Sequence, residues 1–175
     1  MTKRFRWLVI STFVSYLFVA VWVYFFKASL GKDLKFFYWE SSMNLIPFSE
    51  VFGKNGFNSS EFWLQILNII GFIPLGFFAA AVFKKHPFVF GAIFAVIFSI
   101  LIEVAQLITS FGSPQLGDII TNSTGGILGA FVYLKINKKV NIKIQSILYI
   151  IAISVLTILI VLGIVTTIIR WPEYL

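Results

Sequence analysis

Cysteine is absent from this chain, and histidine occurs once, at His86. Without thiols there are no disulfides and no thiolate chemistry. The single histidine, in the run Lys84-Lys85-His86-Pro87, excludes a histidine-rich metal centre. It also confines any Ser-His-Asp triad to wherever that turn lies. Neither a phosphate-cradling P-loop nor HExxH occurs. Charge is scarce as well: 12% of the residues are Asp, Glu, Lys or Arg, against about a quarter in soluble domains. No internal repeat, low-complexity tract or soluble domain interrupts the chain, so it reads as one unit over its 175 residues.

Apolar residues fill the gap. They make up 59% of the sequence, with 21 phenylalanines, and they fall in runs long enough to cross a bilayer as helices. Five such segments are expected, at about 7–26, 62–83, 88–109, 118–134 and 146–169. The fourth is the weakest by hydropathy and the fifth the strongest. The start, Met1-Thr2-Lys3-Arg4-Phe5-Arg6-Trp7 before an apolar run, resembles a signal peptide. That run is too long and lacks a clear small-residue cleavage site, so an uncleaved first helix is expected. The fold class is therefore all-α, a polytopic bundle of about five transmembrane helices.

The net charge of +7 would suggest nucleic acid in a soluble protein, but here the basic residues sit in short loops and set topology. With the N-terminus inside, the inner side collects Lys3, Arg4, Arg6, Lys84, Lys85, Lys135, Lys138, Lys139 and Lys143. The outer side holds Lys27, Lys32, Lys35, Lys54 and Arg170, and six acids: Asp33, Glu40, Glu50, Glu61, Asp118 and Glu173. An excess of Lys and Arg inside gives N-in, C-out. Trp22, Tyr24, Trp63 and Trp171 then serve as outer interface anchors, and Trp7, Tyr133 and Tyr149 as inner ones.

The chemistry is concentrated between Ile102 and Gly129. Glu103 and Gln106 are three residues apart, and Asp118 and Asn122 four, so each pair shares a helix face. Gly112, Pro114 and Gly117 supply a tight turn between two antiparallel helices. Gly125 and Gly129 form a GxxxG face for close packing. On the second segment Gln65 and Asn68 share a face, and Pro74 kinks the helix near the membrane centre. Between the first two segments lies the one long loop, with the apolar centre Asn44-Leu45-Ile46-Pro47-Phe48 and an Asn55-Gly56 turn signal. The apolar centre belongs in the interface or partly within the bundle.

Asn68, Glu103 and Asn122 each fall some four or five residues outward of their segment's midpoint, about 6–7 Å at the helical rise. Gln65, Gln106 and Asp118 lie about one turn further out. Polar groups left unpaired in hydrocarbon are costly, so the six should converge on an outward-open polar pocket among segments two, three and four. Bland roles stand beside this one. Gln65 and Asn68 serve equally as interhelical hydrogen-bond glue. Asp118 serves equally as the N-cap of its helix. Glu103, a carboxyl at membrane depth, is the hardest to explain as structure alone. Two carboxyls with amides suit ligand binding or an acid/base pair of Glu103 and Asp118 better than a metal site, and no cofactor is implied.

These residues carry a resemblance. Asn44 to Phe48, the run Asn68 to Gly76, Glu103-x-x-Gln106, Asp118-Ile119-Ile120-Thr121-Asn122 and Gly125, Gly126 and Gly129 together resemble the VanZ family of bacterial membrane proteins. The resemblance implies a multi-pass protein of the bacterial cell membrane linked to resistance against teicoplanin-type glycopeptide antibiotics. It implies no defined reaction. Many members have an arginine before the Asp cluster and a further acid where Gly112 and Gln115 stand; this chain has neither. The expected function is a membrane factor whose external pocket binds a cell-envelope precursor, lipid or lipoglycopeptide. The alternative is a membrane enzyme acting on an envelope component through Glu103 and Asp118. Membrane lipids are expected partners and nucleic acid is not; oligomeric state is open.

Reporter fusions after Lys54, Lys85 and Leu175 should read outside, inside and outside. A C-terminus that reports inside would reverse the placement of the polar pocket.

Overall fold

The structure, a computed structural model, describes residues 3–26, 43–53, 56–83, 85–109, 113–147 and 149–152, with 154 and 157. Four long helices dominate it: α1 (Lys3–Phe26), α2 (Ser59–Val82), α3 (Pro87–Thr109) and α4 (Leu116–Asn137). Among the described residues these four are long and apolar enough to cross a membrane. A fifth helix, α5 (Ile142–Ala152), begins where the last apolar segment was expected. The remainder of that segment to Ile169 lies outside the described residues. So do the loop up to Ser42, Asn55, Gly112, Trp171 and the side chains of Trp22 and Tyr24.

Local chemistry explains the helix limits. Asn58 is the N-cap of α2, its side-chain oxygen accepting from the Ser60 and Glu61 N–H groups at 3.1 and 3.3 Å. Pro74 stands inside α2 and the helix continues through it. The Tyr16 hydroxyl of α1 donates to the Gly71 carbonyl, a turn before that proline. His86 turns the chain from α2 into α3 with a positive φ of 49°.

α4 is the hub, packed chiefly on α2 and next on α3, while α1 lies against α2. The seam between α2 and α4 explains why glycine is needed. A Cβ at Gly125 would run into the Ile69 carbonyl, and one at Gly129 into the Ile73 carbonyl. Two contacts advancing four residues along both helices make α2 and α4 parallel neighbours with touching backbones. The GxxxG face is thus a packing surface, worth its helix-propensity cost because close approach maximises dispersion contact.

Before α2, Phe52–Gly53 (β1) and Gly56–Phe57 (β2) pair as a short antiparallel hairpin. Its neighbour, Asn44 to Phe48, lies across the end of the bundle remote from His86. The Asn44 N–H donates to the Pro114 carbonyl (3.0 Å), and its carbonyl accepts from the Leu116 N–H (2.9 Å). Val51 is buried beneath, whereas Leu45 and Ile46 stay exposed. At the opposite end an aromatic cluster closes the core: Phe5, Phe78 and Phe77 stack edge-on or tilted around Tyr149, and Phe77 meets Tyr133. Tyr149 is only 4% exposed, so it is a core residue here and not the interface anchor expected from its position. Trp7 and Trp63 are surface-exposed, as anchors should be.

Replacing Gly125 by valine should lower stability in detergent by about 1–3 kcal/mol through overpacking. The exposed Ile127→Val on the same helix should leave the melting temperature unchanged. Melting curves of the two purified variants check this.

Candidate functional site

The polar residues of α2, α3 and α4 meet at the ends of these helices remote from His86. The register follows from packing. Ala95 of α3 sits against Gly126 of α4, because a Cβ on that glycine would collide with the Ala95 methyl. One turn away from the His86 end on these antiparallel helices come Ser99 and Asn122, and one turn further Glu103 and Asp118. The layers change from apolar to neutral polar to acidic within two helical turns.

Asp118 ties α4 to α2. Its Oδ1 accepts hydrogen bonds from Gln65 Nε2 (2.8 Å) and Asn68 Nδ2 (2.9 Å). Thr121 Oγ1 donates to Gln65 Oε1 at 2.9 Å, which orients the Gln65 amide so that its nitrogen faces the carboxyl. Gly117 keeps this corner open to the cover: a Cβ there would sit 3.3 Å from the Phe48 backbone nitrogen.

Helix α4 starts at Leu116 with Gln115 as N-cap, and the Gln115 side chain makes no capping hydrogen bond. Asp118 is therefore not the N-cap. It stands in the first turn, and its Oδ1 is turned across to α2. The donor of the cap residue is met from the neighbouring helix: Glu103 Oε2 accepts from the Gln115 N–H at 2.9 Å. The next free donor, Leu116 N–H, is satisfied by the Asn44 carbonyl. Glu103 from α3 and Asn44 from the cover together replace the missing cap.

Gln65, Asn68, Glu103, Gln106, Asp118 and Asn122 are all buried. The arrangement differs from the expected one in two ways. Asn68 bonds Asp118, which was expected about one turn further out. The site is also roofed by the Asn44 segment where an outward-open pocket was expected. Asn122 is wholly buried, and among the described residues neither atom of its amide has a hydrogen-bond partner. The hydroxyl of Ser99, equally buried, has none either. Sequence reasoning missed Thr121, Ser99 and the backbone of Gln115. Thr121 and Ser99 had a signal in their spacing, three residues from Asp118 and four from Glu103; a backbone donor has none.

A bundle of apolar helices closed over a buried polar junction defines an all-α membrane protein. This chain belongs to the VanZ/LLP1 family, whose model matches residues 13–138. It is 31% identical over 147 residues to Protein VanZ of Enterococcus faecium, covering 83% of this chain and 86% of that protein. No solved structure matches it.

The Asp118 contacts have a measurable weight. Interhelical hydrogen bonds in membranes average about 0.6 kcal/mol and reach about 1.7. Asp118→Ala, which removes the acceptor of both amides, should therefore lower stability by about 1–3 kcal/mol. Asp118→Asn, which retains a carbonyl acceptor, should lose less than half of that in a detergent melt.

Proposed function

We propose that this chain acts in the bacterial plasma membrane as a multi-pass protein that lowers the action of teicoplanin-type lipoglycopeptides. Its polar junction binds the polar part of a cell-envelope ligand. Membership of the VanZ/LLP1 family supports the physiological side of this reading. The observation that carries the binding side is Asn122, with its donor and acceptor both unpaired at 0% exposure. Each buried group left unsatisfied costs about 1–3 kcal/mol, and no water competes in hydrocarbon. Such a pair supports a site filled by a polar partner. The Ser99 hydroxyl at the same level adds a third group suited to an amide or hydroxyl of that ligand.

Access is from the Glu103 end, once the Asn44 cover moves aside. The alternative reading, acid/base catalysis by Glu103 and Asp118, fits less well. Asp118 already holds two amide donors, which is the work of a positioning group.

Expressed in a sensitive Gram-positive host, the chain should raise tolerance to teicoplanin more than to vancomycin, because the lipid tail ties the former to the membrane. Asn122→Leu removes both amide atoms without breaking any hydrogen bond of the protein. It should accumulate and melt like the parent, or slightly higher, and yet lose the resistance. Glu103→Gln should likewise accumulate normally and lose it. Full resistance in both variants at normal expression would show that the junction is only structural.

A further inference from the structure

At the other end of the bundle lies a feature that the polar junction does not use. A cavity of about 270 Å³ opens between α2, α4 and α5. Its walls are apolar, formed by Ile73, Phe77, Tyr133, Tyr149 and Ala152 among others. Polar groups enter only at its rim, where Asn137 ends α4 and Gln145 belongs to the first turns of α5.

The surroundings of that rim are basic. Lys135, Lys138, Lys139 and Lys143 are all exposed; they flank Asn137 and precede Gln145 in sequence. The edge contact between Phe5 and Tyr149, 5.6 Å between ring centroids, brings the start of α1 to the same end. It carries the exposed Lys3, Arg4 and Arg6 with it. No acidic residue occurs anywhere between Asp118 and Glu173 to offset these charges. An apolar slot whose polar lining residues, Asn137 and Gln145, lie within two residues of exposed lysines has the two halves of a phospholipid's chemistry in the order that a lipid presents them. A neutral apolar ligand would leave the rim unexplained, and a free anion would leave the slot unexplained.

We infer that this cavity holds an acyl chain of an anionic phospholipid, with the lipid phosphate on the lysines at the α4–α5 turn. Basic pockets between transmembrane helices are a known solution for anionic headgroups. Lys135 is already engaged over the Phe131 ring, at 5.1 Å from its centroid. Lys138, Lys139 and Lys143 are therefore the residues assigned to the headgroup. The inference is independent of what the polar junction binds, since the two sites lie at opposite ends of α2 and α4.

The test is native mass spectrometry of the purified full chain in detergent, titrated with phosphatidylglycerol or with phosphatidylcholine of the same acyl chains. Phosphatidylglycerol should be retained in preference, and glycerol phosphate without acyl chains should not displace it. Ala152→Phe, which fills the slot, should abolish retention. Should that variant fold poorly, the exposed triple variant Lys138→Gln, Lys139→Gln, Lys143→Gln decides. It should weaken phosphatidylglycerol by about five-fold for each lysine removed and leave phosphatidylcholine unchanged. Equal retention of the two lipids, full retention by a folded Ala152→Phe or by the triple variant, displacement by glycerol phosphate, or a dimer in place of the lipid adduct would each overturn the inference.

Discussion

The structure depends on one requirement of the hydrocarbon layer: every polar group placed in it must find its partner inside the protein. Asp118 shows how this is met. Its carboxyl oxygen collects two amide donors from α2, and Thr121 fixes the orientation of one of them. Because Asp118 is occupied there, the start of α4 must be capped by other groups. Glu103 and the Asn44 carbonyl take over that task. A single hydrogen-bonding demand thus fixes the relation of α2 to α4, of α3 to α4, and of the Asn44 segment to α4.

The same three helices are built differently at their two ends. On the Asp118 side the layers are polar, and the groups at Asn122 and Ser99 remain unsatisfied. On the Tyr149 side they are aromatic, with an apolar cavity and a cationic rim. The glycine seam between them holds α2 and α4 at backbone contact. It brings the two helices together with no need for a large apolar side chain between them.

Much of this was legible in the sequence because membrane helices leave few polar positions to weigh. Gln65, Asn68, Glu103, Gln106, Asp118 and Asn122 stood out against apolar runs, and all six are buried on facing helices. Which of them touch was not legible. Helical spacing tells which face a residue occupies, whereas pairing depends on how far one helix slides along another. That offset is set by the meeting of Gly125 with Ile69 and of Gly126 with Ala95. Asp118 was readable as an N-cap because polar residues favour that position, and tertiary contacts with α2 overrode the local preference. Tyr149 was misplaced for a similar reason: its distance from a helix end suggested the interface, but Phe5 and Phe78 enclose it.

The seam also bears on how the protein is made. Of the four long helices α4 has the lowest hydropathy, and its inner face is glycine, threonine and asparagine. Such a segment gains little from lipid alone. It follows α2 and α3 in the chain, however, and α2 supplies the surface it fits. The place of α4 in the bundle rests on backbone contact with Ile69 and Ile73 and on the amides that meet Asp118. The order of segments along the chain is thereby part of what makes the fold reachable.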